Sequence, residues 1–152
     1  MKKKWVFELG MAIAAGYAVS RVVRIAMATG HSMEPTIKHG QFVIVDRLAK
    51  PKKGDLIAFK SRQKKGPKHF LKRIVALEGD VVRINLGRLN LNGFFVEEPY
   101  LKEPMRKRRM EAVTVPKGHV FALGDNRNNS LDSRALGTIP LKDVIGVVKY
   151  GR

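Results

Sequence analysis

The sequence predicts an all-β fold, a compact folded β-sheet or barrel-like domain preceded by one N-terminal transmembrane helix. Beyond residue 30 the chain consists of short β-type segments separated by turn residues. No later segment keeps a sustained helical period, whereas the N-terminus is a continuous apolar run. At 152 residues, 44% of them hydrophobic, the chain has room for one compact domain and an accessory segment.

The first element, residues 1–28, is predicted to be a membrane anchor. Three lysines are followed by residues 5–20, which are apolar except for Glu8. A spanning helix needs about 20 mainly apolar residues, and the stretch reaches that length if Arg21 and Arg24 extend their charges to the far interface. The lysines place the N-terminus in the cytoplasm, so residues 29–152 are expected on the other face of a single-pass protein.

Two alternatives stay open for this segment. Ala26-Met27-Ala28 fits an A-x-A cleavage pattern, which would make the segment a removable signal peptide. An amphipathic helix packed against a soluble domain is the second alternative. The sequence also leaves open whether the chain cleaves itself at residues 26–28.

The β-type segments follow in order, each bounded by Gly, Pro, Asn or Asp. Leu86-Gly87 and Asn92-Gly93 are hairpin signals, and they mark a small accessory hairpin and loop region around residues 86–112. The strands are predicted at 41–46, 55–60, 70–77, 80–85, 88–92, 112–115, 119–123 and 144–150.

The formal net charge of +17 predicts an anionic partner, either nucleic acid or an anionic membrane surface. The basic residues of the loop 101–110 form a solvated loop tip or, with Lys64, Lys65 and Lys68, press against lipid headgroups. A nucleic-acid module would interleave aromatic residues with its basic loops, and these loops contain almost none, so no nucleic acid is expected. The chain has no cysteine and no metal-ligand spacing, so neither a metal nor a cofactor is predicted.

Ser32 is a candidate nucleophile. It lies in residues 30–36, GHSMEPT, directly after the apolar segment. Gly30 permits a positive φ and a close approach of the backbone, while Pro35 stiffens the chain beyond the serine. A serine hydroxyl needs an adjacent base to act as a nucleophile.

Lys72 is the candidate base. Together with Arg73 it interrupts an apolar run at residues 70–77, FLKRIVAL. Strand alternation turns one of the two basic side chains inward. A buried lysine is costly, but burial lowers its pKa and can leave the amine neutral at the pH of reaction.

A third polar cluster, residues 122–134 (ALGDNRNNSLDSR), follows a predicted strand. It is a surface turn held by Asx hydrogen bonds and an Asp132–Arg134 pair, or a turn that orients an active site. These readings are compatible, since a structural turn can position catalytic groups.

The residues 30–36, 54–59 (GDLIAF), 72–80 (KRIVALEGD) and 124–134 resemble, in the same order, the conserved boxes of bacterial type I signal peptidases, also called leader peptidases. The resemblance covers about residues 29–148. It implies a monomeric serine endopeptidase of the bacterial plasma membrane that removes signal peptides from exported pre-proteins after an A-x-A motif. The accessory region is expected to be smaller than in many members.

The resemblance also implies a role for each site residue. Ser32 is the nucleophile and Lys72 the general base, and Ser130 hydrogen-bonds and orients the lysine amine. Asp132 and Arg134 support the site as an ion pair. The remaining positions are Asp125 and Asn126, which shape the turn, and Met33 and Gly30, which lie at the substrate groove. A second oxyanion donor is in doubt, because the position that supplies a serine hydroxyl in some members is Gly30.

Three other functions fit part of the sequence. A Ser-His-Asp triad would use one of the four histidines, but His31 points elsewhere in an extended chain and the others lack a paired acid. Self-cleaving repressors of the LexA type share a Ser-Met and a later lysine, yet they carry a DNA-binding domain. A catalytically idle, membrane-tethered assembly factor could share the fold, although here both Ser32 and Lys72 are present.

Overall fold

The computed structural model describes residues 22–149 as two antiparallel β-sheets, so the prediction of an all-β fold is confirmed. A four-residue α-helix, α1, spans Ser133–Leu136. The strands are β1 Val23–Met27, β2 Phe42–Asp46, β3 Leu56–Lys60, β4 His69–Leu77, β5 Val81–Asn85, β6 Arg88–Leu91, β7 Phe94–Phe95, β8 Met110–Thr114, β9 His119–Leu123, β10 Ile139–Pro140 and β11 Val144–Lys149.

The larger sheet has seven strands in the order β1-β2-β11-β3-β4-β9-β10. Among the strands of residues 22–149, β1 forms one edge and pairs with β2, from Val23 opposite Asp46 to Met27 opposite Phe42. The predicted membrane anchor therefore does not extend to residue 28, because residues 23–27 are hydrogen-bonded into the sheet. Hydrophobicity alone could not separate helix from strand in this continuous apolar run.

The rest of the predicted anchor, residues 1–21, lies outside the described residues. Within 22–149 no helix is long and apolar enough to cross a membrane. Arg24, expected to extend toward a far membrane interface, is an exposed residue of β1 opposite Val45.

The large sheet curls, so that its edge strand β1 approaches the first half of β4. A cleft of about 560 Å³ lies between them, lined by Ala26 and Met27 on one side and by His69, Phe70 and Leu71 on the other. β4 pairs with β3 over its first five residues but with β9 only from residue 73 onward. Within the described part of the chain, the unpaired edge of β1 and the unpaired edge of the first half of β4 therefore face the same groove.

The smaller sheet has the order β7-β6-β5-β8 and contains the region around 86–112 that the sequence marks as accessory. Leu86 and Gly87, at φ 49° and 78°, form the first predicted hairpin turn, and Asn92 and Gly93 form the second. The two sheets share an apolar core: Val82 and Ile84 of β5 pack in one cluster with Phe121 and Leu123 of β9.

Candidate active site

Ser32 lies in a compact turn between β1 and β2. The turn is closed by the Ile37 N–H donating to the Met33 carbonyl at 2.9 Å, and both side chains are buried beneath it. Gly30 has a φ of 87°, which a side chain would disfavour, and its N–H donates to His39 Nδ1 at 2.9 Å. The turn thus holds Ser32 on a backbone of fixed conformation.

Lys72, in the middle of β4, is 2% exposed and reaches this serine. Its Nζ donates to Ser32 Oγ at 2.7 Å and to the Leu71 carbonyl at 2.8 Å. The ring of Phe70 lies 5.5 Å from the amine. The two residues that the sequence singled out, forty positions apart, are in direct contact.

Burial lowers the pKa of Lys72 to about 8 from its ordinary value of 10.5. The carboxylates of Asp132 and Asp125 oppose this shift, whereas the positive charge of Arg134 adds to it. A large fraction of the amine is therefore neutral in mildly alkaline solution. A neutral amine hydrogen-bonded to a serine hydroxyl can remove its proton.

The polar turn after β9 touches the Ser32 turn at Gly124. A Cβ built at this position would lie 2.2 Å from Ser130 Oγ and 2.5 Å from the Ser32 carbonyl oxygen, so only glycine fits. Two residues further on, the Asn126 N–H donates to the Ser32 carbonyl and its Nδ2 to the His31 carbonyl, each at 3.0 Å. Residues 124–126 therefore fix the backbone of the nucleophile.

Asp125 joins the same turn to the strand that carries the base. Its side chain is fully buried and accepts from Arg73 Nε at 2.8 Å, from Arg73 Nη2 at 2.7 Å and from the Thr36 hydroxyl. Arg73 is the neighbour of Lys72, so strand alternation turns the arginine toward Asp125 and the lysine toward Ser32.

The predicted Asp132–Arg134 ion pair forms, with Arg134 Nε and Nη2 each 2.8 Å from the carboxylate. Asp132 also accepts from the Gly124 N–H at 3.0 Å and caps α1. Burial raises the pKa of this carboxyl, but hydrogen bonding and the charge of Arg134 outweigh it and hold the pKa below its ordinary value.

Ser130 lies beside Gly124, but the structure does not show the predicted hydrogen bond to Lys72. The lysine amine donates to Ser32 and Leu71 instead. The Ser130 hydroxyl is buried, and its interaction with the Asp132 carboxyl contributes to the lowered pKa of that group. A role for Ser130 in orienting the base stays a prediction.

A cavity of about 360 Å³ opens over the serine and the lysine. Gly30 and Met33, predicted to lie at a substrate groove, both line it. It continues into the larger cleft between β1 and β4 through the shared lining residues Ala28, Phe70 and Leu71. A groove therefore runs from the edge strand to the hydroxyl.

The described residues do not form the alternative Ser-His-Asp triad. His31 Nδ1 pairs with Glu34 at 2.7 Å and its ring stacks on His39 at 5.3 Å. No histidine hydrogen-bonds to Ser32 within 22–149.

The sequence patterns assigned no role to several residues that the fold brings to the site. Arg73 and Arg127 lie inside the motifs that carry the family resemblance. Glu98 and Tyr100 belong to the short segment EPY at 98–100, where Pro99 indicates a turn but no role at the site. Their partners could not be read from the chain, because each contact joins residues at least 27 positions apart.

The fold and this site together define the class: a β-sheet protein with a serine–lysine pair of the kind that supports nucleophilic catalysis. Residues 2–150 match the family described as "Signal peptidase, peptidase S26". The chain belongs to this family, and the resemblance recognised in its motifs is confirmed.

Its relatives include type I signal peptidases. It is 38% identical to Signal peptidase I U of Bacillus subtilis (strain 168), over 77% of this chain and 68% of that protein. It is 39% identical to thylakoidal processing peptidase 1 of Arabidopsis thaliana, over 76% of this chain. The match spans only 37% of the Arabidopsis protein, but 89% of a signal peptidase I of Bacillus licheniformis that is 32% identical.

A solved structure agrees. The crystal structure of a signal peptidase I from Enterococcus faecalis V583 superimposes with a TM-score of 0.58 at 31% identity. The alignment covers 66% of this chain and 98% of that one. The curled sheet is thus a fold that this family uses.

Proposed function

We propose that the chain is an active signal peptidase, a monomeric serine endopeptidase that cleaves signal peptides from exported pre-proteins after an A-x-A motif. The observation that carries the proposal is the 2.7 Å contact between Lys72 Nζ and Ser32 Oγ at the floor of an open groove. This contact favours an enzyme over a catalytically idle assembly factor, because a buried lysine without a task is expensive.

The reaction proceeds through an ester. Neutral Lys72 takes the proton from Ser32, and Oγ attacks the carbonyl carbon of the scissile peptide bond. The C–N bond breaks, and the lysine ammonium returns its proton to the departing amine of the mature protein. Lys72 then takes a proton from a water molecule, and the water oxygen attacks the ester carbonyl carbon. The bond from that carbon to Ser32 Oγ breaks, the lysine ammonium returns its proton to Oγ, and the signal peptide leaves as a carboxylic acid that ionises in solution.

Backbone donors stabilise the oxyanion of each tetrahedral intermediate. The Ser32 N–H is the first donor, because it adjoins the attacking atom. The position two residues before it is Gly30, which offers no hydroxyl. The Asn126 Nδ2 bond to the His31 carbonyl supports this arrangement, because that carbonyl shares a peptide plane with the Ser32 N–H.

The signal peptide binds as an added strand in the groove between β1 and β4. Residues 26–28 and 69–71 line opposite sides of the groove, and an extended peptide between them would pair with the exposed edges of β1 and of the first half of β4. Close to the serine the wall is apolar, formed by Met33, Ile37 and Leu71. Shallow apolar pockets of this kind accept the small side chains of an A-x-A sequence.

The cleavage test compares wild type with Ser32→Ala and Lys72→Met on a pre-protein that carries an A-x-A site. Each variant is expected to lose at least about 10³-fold in kcat, because both groups act in every turnover. Lys60→Met, which alters an exposed lysine of the adjoining strand β3, is the matched control and should keep full activity. Undiminished cleavage by both active-site variants would overturn the mechanism.

The pH profile separates this mechanism from a histidine triad. The reactive form of Lys72 is the neutral amine, so kcat/KM should rise with pH through the lysine pKa of about 8. A rise near the ordinary histidine pKa of about 6.5 that survives Lys72→Met would restore the triad.

We place the site at the outer face of the plasma membrane, anchored by the undescribed N-terminal residues in a single pass. Supporting this, β1 and β2 expose two apolar cross-strand pairs, Ile25 with Ile44 and Met27 with Phe42. Ile25 is 74% and Phe42 67% exposed, and the patch adjoins the groove through Met27. An apolar patch on a protein of net charge +17 suits a surface of anionic lipids.

Depth-dependent fluorescence quenching tests this orientation. Trp5 is the single tryptophan and is replaced by Phe, after which Phe42→Trp or Phe94→Trp supplies one probe. In vesicles containing anionic and brominated lipids, the probe at 42 should be quenched and the one at 94 should not, although Phe94 on the small sheet is the more exposed of the two, at 78%. Equal quenching at both sites would refute the orientation.

A further inference from the structure

The turn of residues 98–101 lies outside the substrate groove, yet it contacts both halves of the active site. The Leu101 N–H donates to the Glu98 carbonyl at 3.2 Å, which closes a β-turn with Pro99 in its favoured second position. Neither Glu98 nor Tyr100 lines the cavity over the dyad or the adjoining cleft. The turn can affect the reaction only through other residues.

Its first contact is with the polar turn after β9. Arg127 and Glu98 form a two-pronged ion pair in which Nη1 lies 2.8 Å from Oε2, and both side chains are almost completely buried. Arg127 Nε donates in addition to the Gly124 carbonyl at 3.0 Å. Paired donors of this kind fix direction as well as distance, so Glu98 sets the position of the residues around Gly124.

Its second contact is with strand β4. The guanidinium of Arg73 lies over the Tyr100 ring, 4.0 Å from its centre. The Tyr100 hydroxyl donates to Glu98 at 2.8 Å, so the two contacts are joined within the turn. Arg73 is the neighbour of Lys72 and the partner of Asp125.

The two contacts converge on the nucleophile. Arg73 holds Asp125, and the next residue, Asn126, holds the Ser32 and His31 carbonyls. We infer that Glu98 and Tyr100 are positioning residues for the reaction: through Arg127 and Arg73 they keep the Ser32 turn and the Lys72 strand in register. The inference rests on the proposed function, and it assigns to the accessory region a task in catalysis.

The effect should appear in kcat and not in KM, because the turn does not touch the groove. Misplacing a reacting pair by a fraction of an ångström reduces the rate steeply. A loosened site also admits water to Lys72, which moves its pKa upward toward 10.5. The pH at which activity rises should then shift upward as well.

The test uses three variants of the full chain. Tyr100→Leu removes the ring beneath Arg73, and Tyr100→Phe restores that ring without the hydroxyl. Phe95→Leu is the matched control, since Phe95 lies 4.3 Å beneath Arg88 in the same kind of contact, on the small sheet and away from the dyad. Thermal unfolding of each variant confirms that it is folded at the assay temperature.

Tyr100→Leu is expected to lower kcat by about tenfold with KM unchanged, and to shift the pH profile upward. Tyr100→Phe should recover most of kcat, and Phe95→Leu should match wild type. The inference is overturned if Tyr100→Leu and Phe95→Leu have the same kcat and pH profile.

A second measurement distinguishes failure of this inference from failure of the proposed function. If wild type does not cleave the pre-protein, the proposed function fails. The Lys72 amine can still be titrated by NMR with labelled lysine, its signal assigned by Lys72→Met. An upward shift of its midpoint in Tyr100→Leu but not in Phe95→Leu supports the positioning role, and identical midpoints refute it.

Discussion

The two sheets share one apolar core but differ in whether their charged side chains are buried or exposed. The interior of the small sheet is apolar, and the ionisable side chains of β5 and β6, such as Arg83 and Arg88, are exposed. Among the described residues, the buried polar and charged residues lie in β4, in the turn after β9 and at the start of α1, and the Glu98 side chain of the 98–101 turn is almost as buried, at 5% exposed. The buried residues are Lys72, Asp125, Asn126, Arg127, Asp132 and Ser133.

The difference shows where this protein accepts the cost of burying charge. Removing an ionised group from water is unfavourable unless partners compensate it. Within residues 22–149 each buried carboxylate has an arginine partner, whereas no carboxylate there hydrogen-bonds to Lys72, which instead has a lowered pKa. The large sheet thus carries the charge that chemistry requires, and the small sheet adds apolar packing and the 98–101 turn.

The largest effect is expected from breaking a buried pair in the large sheet. Asp125→Asn leaves Arg73 without its carboxylate and should lower the free energy of unfolding by about 3–5 kcal/mol, with loss of activity. The counterpart on the small sheet is Glu97→Gln, which removes a distant and exposed partner of Arg88. Urea denaturation should show no change for this variant, and an equal loss in both would break the contrast.

The next effect concerns pH. Lys72 has a pKa of about 8 in the folded chain and an ordinary value of 10.5 when unfolded, so between these values the unfolded chain binds more protons. Stability should therefore rise with pH across this window, by about 3 kcal/mol in total. Lys72→Met should lack this component when unfolding free energies are compared at pH 7.5 and 10.5. Parallel curves for the two proteins would contradict the prediction.

The smallest effect on stability is expected from adding a Cβ at a tightly packed glycine beside each sheet. Gly124→Ala and Gly87→Ala both put a Cβ within 2.4 Å of existing atoms, and this steric overlap should cost about 1–3 kcal/mol at each site. At Gly87 the φ of 78° adds backbone strain. Only Gly124→Ala presses on the Ser32 carbonyl, so only it should reduce kcat, by about 10²-fold. The measurement is kcat per folded molecule of each variant. A comparable fall in kcat for Gly87→Ala would show that packing of the small sheet also affects catalysis.

Local patterns in the chain were enough to predict most strands and both hairpins. Alternation and turn residues act over a few positions, and β5 and β6 begin and end within one residue of their predicted bounds. β7 and β10 were missed, because two residues are too few to show an alternation. β1 was missed because a mainly apolar segment shows no clear period and its strand conformation depends on β2, which lies fifteen residues further on.

For the active site, too, some features follow from local sequence and others only from the tertiary structure. The sequence by itself determined which residues can act: a serine after a glycine, a lysine inside an apolar strand, and a polar turn with its Asp132–Arg134 pair, because residue type and local setting fix chemical capability. Only the tertiary structure decided that Lys72 donates to Ser32 and Leu71, that Asp125 pairs with Arg73, and that Glu98 and Tyr100 join the two halves of the site. Such contacts depend on the curl of the sheet and the packing of side chains distant in the chain, which no local pattern specifies.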